Sequence, residues 1–152
     1  MTESPLSGAR SLARRFHESR ACGLRASVVG TADRRARALE VVTGDTGMRI
    51  LEIDPTRFAH KRAHQIDQLW SQIRGDARQQ GWILFFDEAD ALFGKRTRVQ
   101  DSHDRYANVE VGYLAQLLAI NPGLLLLGSS SRTETSPLGR AIQHWLELHR
   151  WP

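Results

Sequence analysis

The chain has 152 residues, of which 41% are hydrophobic and 25% charged, and its formal net charge is +4. That length and balance suit a single soluble domain spanning residues 1–152, able to fold without staples. No apolar run approaches the ~18 residues of a membrane span, and the arginine-rich N-terminus lacks the apolar core of a secretion signal. Cys22 is the only cysteine, so no internal disulfide is available and a reducing cytoplasm is the expected compartment. Many of the arginines fall early, from Arg10 to Arg37, and only Phe16 interleaves with them as a stacking aromatic. They are read as a solvated face, with nucleic acid not expected as a partner and no membrane contact.

Pro5 opens a helix that carries Leu12 and Phe16 on one side, within an N-terminal helical extension over 1–22. Residues 24–30 read as a strand ending in Gly30, and 32–43 as an Ala/Arg-rich helix. A second strand is expected over 48–53, and a helix over 58–78 with Phe58, Ile66, Leu69, Trp70 and Ile73 as its apolar stripe. The run Trp82–Phe86 suits a strand buried on both faces of a parallel sheet. A helix is expected over 106–120, then an Asn121-Pro122-Gly123 turn, a buried strand over 124–127, a helical piece over 138–142 and a fifth strand over 145–148. Strand and helix alternate throughout, which predicts a layered α/β fold with a mainly parallel five-stranded sheet. In such sheets ligands bind beyond the carboxyl ends of the strands, so Gly30, Asp87 and Ser129 should cluster.

The segment richest in chemistry is Ile83-Leu84-Phe85-Phe86-Asp87-Glu88. Two carboxylates at the mouth of a buried strand can divide the work of phosphoryl transfer. Asp87 can hold Mg²⁺, and Glu88 can polarise the water that attacks a γ-phosphate, as in the Walker B arrangement of P-loop NTPases. The plainer alternative is that both acids cap the helix that follows. The stretch Asp87-Glu88-Ala89-Asp90 also spells a helicase motif, but that reading needs two large domains and a Ser-Ala-Thr motif, where only Ser129-Ser130-Ser131 is found.

The longer stretch, Phe86-Asp87-Glu88-Ala89-Asp90-Ala91-Leu92-Phe93-Gly94-Lys95-Arg96 with Asp101–Asn108 after it, resembles the Walker B region of AAA+ ATPases, specifically over 81–128 and diffusely beyond. The pattern is most similar to a bacterial group of single-domain AAA+ ATPases. The resemblance implies a three-layer P-loop-NTPase core, ATP and Mg²⁺ as cofactors, and protein partners in a ring, either further copies or an AAA+ paralogue. It also implies a phosphate loop of the form G-x-x-x-x-G-K-[ST] after the first strand. Here that region reads Gly30-Thr31-Ala32-Asp33-Arg34-Arg35-Ala36: the first glycine stands, while the second glycine, the lysine and the hydroxyl are missing. Gly30, Thr31 and Arg35 are what remains to meet a phosphate, with Arg35 the nearest cation and Asp33 adding a negative charge.

By the same resemblance Ser129 or Ser130 falls at the sensor-1 position, Arg140 at the arginine finger, and Lys61-Arg62-Ala63 near a pore loop that lacks its usual aromatic. Residue 152 falls where the family's helical lid begins. The expectation is therefore a weak or inactive ATPase acting as a regulatory or structural module. The alternatives are a working ATPase with an irregular phosphate loop and a decayed gene product. Two smaller features carry little: His60 and His64, spaced i, i+4, lack a third ligand, and Cys22, between Arg20 and Arg25, reads as a structural cysteine.

Overall fold

Continuous apolar runs become the buried strands of one parallel sheet. The computed structural model describes residues 5–94 and 105–148; Lys95, Arg96, the stretch 101–104 and Trp151 lie outside the described residues. In chain order the elements are α1 (Pro5–Glu18), β1 (Leu24–Val29), α2 (Ala32–Thr46), β2 (Ile50–Glu52), α3 (Ala63–Gln80), β3 (Ile83–Phe86), α4 (Val111–Ala119), β4 (Leu124–Ser129), α5 (Pro137–Ala141) and β5 (His144–Glu147). All strand pairs are parallel, in the order β2-β3-β4-β1-β5. Every carboxyl end therefore opens on the same edge.

Alternate residues of each central strand feed two apolar layers, because successive side chains of a strand point to opposite faces. Leu84, Phe86, Leu125 and Leu127 pack with Ile66, Trp70 and Ile73 of α3, Leu114 and Leu118 of α4, and Leu138 of α5. Ile83, Phe85, Leu124 and Leu126 pack on the other face with Leu12 and Phe16 of α1 and Ala38 and Val42 of α2. The result is three layers, helix on sheet on helix, as expected for a P-loop-NTPase-like core. No described helix is long and apolar enough to cross a membrane.

Several boundaries differ from the sequence reading, each for a local reason. Helix α2 runs through Gly44 to Thr46 and stops at Gly47, whose φ of 68° is the left-handed conformation that glycine adopts without steric cost. Phe58 does not start α3. Asp54 caps a separate 3-10 turn over Pro55–Phe58 that buries Phe58, and α3 starts afresh after Arg62, whose N–H donates to Gln65 Oε1 at 2.9 Å. His60 therefore precedes the helix, with φ 59°, and does not share a helix face with His64. Helix α4 begins at Val111 rather than at 106, since Asn108 takes a left-handed φ of 64° that interrupts any helix there. Leu148 is fully buried, and its N–H donates to the Val29 carbonyl. Trp145 is half-buried against Phe93, and the Arg132 guanidinium lies over its ring.

Candidate functional site

The carboxyl edge of β1, β4 and β3 brings together the residues that the sequence singles out. β4 lies between the other two, with Val28 opposite Gly128 and Phe86 opposite Leu127. Asp87 follows β3 directly, and Gly30 follows β1 and donates its N–H to the Ser129 carbonyl at 3.0 Å. The predicted clustering of Gly30, Asp87 and Ser129 is what the structure has.

Only Gly30 and Thr31 separate β1 from α2. The Thr31 hydroxyl caps the helix by accepting from the Arg34 N–H at 3.4 Å, and the Thr31 carbonyl accepts from the Arg35 N–H at 2.9 Å. The helix thus starts at once, where the family pattern sets several residues between its two glycines. The N–H groups of Gly30, Arg34 and Arg35 are already bonded within the protein. Asp33 is exposed in the first turn of α2.

Arg35 turns inward from α2 and is 5% exposed. Its Nε donates to Asp87 Oδ1 at 2.9 Å and its Nη1 to the Gly30 carbonyl at 2.7 Å. Asp87 keeps about a quarter of its side chain exposed, so the pair sits at the mouth of the site. The guanidinium crosses the end of β4 over Gly128. A Cβ at that position would stand 2.4 Å from Asp87 Oδ1 and 3.1–3.2 Å from Arg35 Cδ and Nε. Gly128 is the contributor that sequence reasoning missed. Its signal was a glycine closing an otherwise apolar strand, which marks close approach of another group.

The remaining candidates hold other places. Glu88 is exposed in a left-handed conformation, φ 52° and ψ 45°, uncommon for a residue with a Cβ. Ser130 is bound to Asp90, its N–H at 3.1 Å and its hydroxyl at 2.9 Å from Oδ1. Arg140 is exposed and donates to the Thr135 carbonyl of its own loop at 2.8 Å. Tyr106, read from sequence only as a helix residue, is buried and its hydroxyl donates to the Asp87 carbonyl at 3.4 Å. Burial pushes its phenol well above the ordinary range.

A comparison with curated proteins gives no match. A family model, that of the ATPase family associated with various cellular activities (AAA), matches residues 9–135. With the parallel sheet and its carboxyl-edge acids, a match over that much of the sequence means that the chain belongs to the AAA family.

Proposed function

We propose that this AAA core is a degenerate module that holds Mg-ATP weakly or not at all, and that it acts as a regulatory or structural partner in a cytoplasmic ring of AAA subunits. The observation that carries the reading is the Arg35 guanidinium, clasped between the Gly30 carbonyl and the Asp87 carboxylate. In the family pattern a Mg²⁺ ion and the terminal phosphates would need that space. The residues present do not fit the group. Asp87 is neutralised by an internal cation, the N–H groups of Gly30, Arg34 and Arg35 are bonded within the protein, and no lysine or second glycine follows. An arginine with two bonds inside the protein is no substitute for a free ammonium in a glycine loop.

A second reading, a working ATPase with an irregular loop, draws on one observation. Glu88 is exposed at the same edge, and Arg35 could swing from Asp87 to a phosphate. Titration calorimetry of the purified chain with Mg-ATP separates the two. Binding at millimolar strength or weaker is expected. Micromolar binding that disappears in Arg35→Ala establishes the second reading instead.

A further inference from the structure

The opposite edge of the sheet, where the strands begin, holds a cavity of about 430 Å³. That is within the usual range for small-molecule sites, roughly 300–1,000 Å³. Arg20, Arg74, Arg78, Asn121, Trp82 and Cys22 are among its lining residues, and among the described residues no Asp or Glu lines it. Arg74 and Arg78 stand four apart on α3, on one face of the helix, where like charges repel. Arg78 sits in the last turn of α3, a position that favours cations in any protein, so it alone says little.

Asn121 says more. It is 1% exposed, yet neither its Oδ1 nor its Nδ2 has a hydrogen-bond partner among the described residues, and the Nε of Arg74 is likewise buried and unpartnered among them. The usual reason for Asn in a turn is a side-chain bond to its own backbone, and this Asn makes none. Its backbone is nevertheless fixed: the N–H donates to the Leu118 carbonyl at 3.2 Å and the carbonyl accepts from Arg25 Nη1 at 2.9 Å. Leaving a buried amide unpaired costs free energy that a ligand with complementary groups would recover. The amide offers one donor pair and one acceptor, and the guanidiniums offer charged forks that match an oxyanion.

We infer that this cavity is a binding site for a small oxyanion, a phosphate- or carboxylate-bearing molecule, held by Arg74 and Arg78 with Asn121 reading an adjacent polar group. The site is independent of the nucleotide edge and of the reading given for it. Cys22 supplies the test, because it is the only cysteine, is exposed, and lines the cavity. The rate of its alkylation is measured with the full chain at constant ionic strength, with inorganic phosphate, pyrophosphate or citrate added. Protection by at least one of them is expected, about tenfold at a concentration ten times its Kd. Phosphate and citrate acting unequally tells a phosphoryl ligand from a carboxylate one. Protection should vanish in the double variant Arg74→Gln, Arg78→Gln, whose fold is checked by circular dichroism, and the Asn121 side-chain amide resonance should move on binding in the parent chain. A rate left unchanged by all three anions, or protection that survives the double variant, overturns the proposal. Protection lost in Arg35→Ala but kept in the double variant overturns it too, by placing the anion at the other edge.

Discussion

Arg35 Nε lies 2.9 Å from Asp87 Oδ1, although the two residues belong to elements on either side of β4. The bond crosses the strand end because Gly128 has no side chain there. A single missing Cβ on the middle strand thus permits an ion pair between the helix after β1 and the acid after β3. That arrangement ties the turn after β1 to the acid after β3.

Gly128→Ala should accordingly destabilise the protein. In most strand interiors alanine in place of glycine is neutral or favourable, by about 0.5–1 kcal/mol. Here the new methyl would stand 2.4 Å from Asp87 Oδ1, and the short aspartate cannot retreat without leaving Arg35. The expected loss is about 1–3 kcal/mol, as for other overpacked sites. Urea denaturation measures it, and a variant as stable as the parent or more so would show that the pair is not held where it is described.

The pair itself should be visible in a double-mutant cycle. Arg35→Ala leaves the Asp87 carboxylate without its Arg35 partner, and Asp87→Ala leaves a buried guanidinium bonded to the Gly30 carbonyl. A coupling energy of about 1–3 kcal/mol is expected, below the range for fully buried pairs because Asp87 is about a quarter exposed. Single-variant losses that simply add would mean the two side chains stabilise the fold independently.

The sheet was legible in the sequence because parallel strands buried on both faces leave unbroken apolar runs, as at 83–86 and 124–127. Helix starts were less legible. Phe58 and Tyr106 fall in step with the apolar stripes that follow them, but Asp54 and Pro55 set up a turn of their own and Asn108 goes left-handed. At the site, the sequence placed Asp87 and Gly30 on one edge and flagged Arg35 as the nearest cation. It did not say where the guanidinium would point. That depends on β4 lying between β1 and β3 and on the empty Cβ of Gly128, which are relations between distant segments. The bond from Ser130 to Asp90 was hidden for the same reason, since forty residues separate the two.

Alkaline titration should find both tyrosines resistant to ionisation. The chain has two, Tyr106 and Tyr113. Burial raises the Tyr106 phenol, and the hydrogen bond to Asp67 raises that of Tyr113, both from an ordinary value of 10.0. A group whose folded pKa is raised contributes stability that is complete below its unfolded pKa and is lost as pH climbs through the folded one. The folded chain should therefore show the Tyr113 step displaced above the ordinary value, and the Tyr106 signal should arrive together with unfolding. Tyr113→Phe leaves Tyr106 as the lone reporter. A reversible step near the ordinary value in that variant, with far-ultraviolet dichroism unchanged, would place Tyr106 in solvent.

Mg-ATP should bind this chain with a dissociation constant near or above millimolar, and Glu88→Gln should change nothing measurable. A working P-loop site holds ATP in the micromolar range, about −8 kcal/mol. Much of that comes from charge-assisted bonds of loop amides and a lysine to the phosphates. Losing one buried charged partner commonly costs about 2–5 kcal/mol, and each ~1.4 kcal/mol is a decade of affinity. Here the lysine is missing, the turn between β1 and α2 is reduced to Gly30 and Thr31, and the Thr31 hydroxyl is used as a helix cap. A nucleotide would also have to displace Arg35 from Asp87 before Mg²⁺ could reach the carboxylate, which adds the cost of breaking that pair. Glu88 is exposed at the same edge, but a general base acts only on a nucleotide already held by its phosphates. Arg35→Ala clears the space and removes the inward-facing cation that the site has among the described residues, so no gain in affinity is expected from it. Calorimetry on the parent chain, Glu88→Gln and Arg35→Ala decides the matter. Three equally weak isotherms fit the clasped site, whereas micromolar binding by the parent that is lost in Arg35→Ala would mean that Arg35 leaves Asp87 to hold the phosphates.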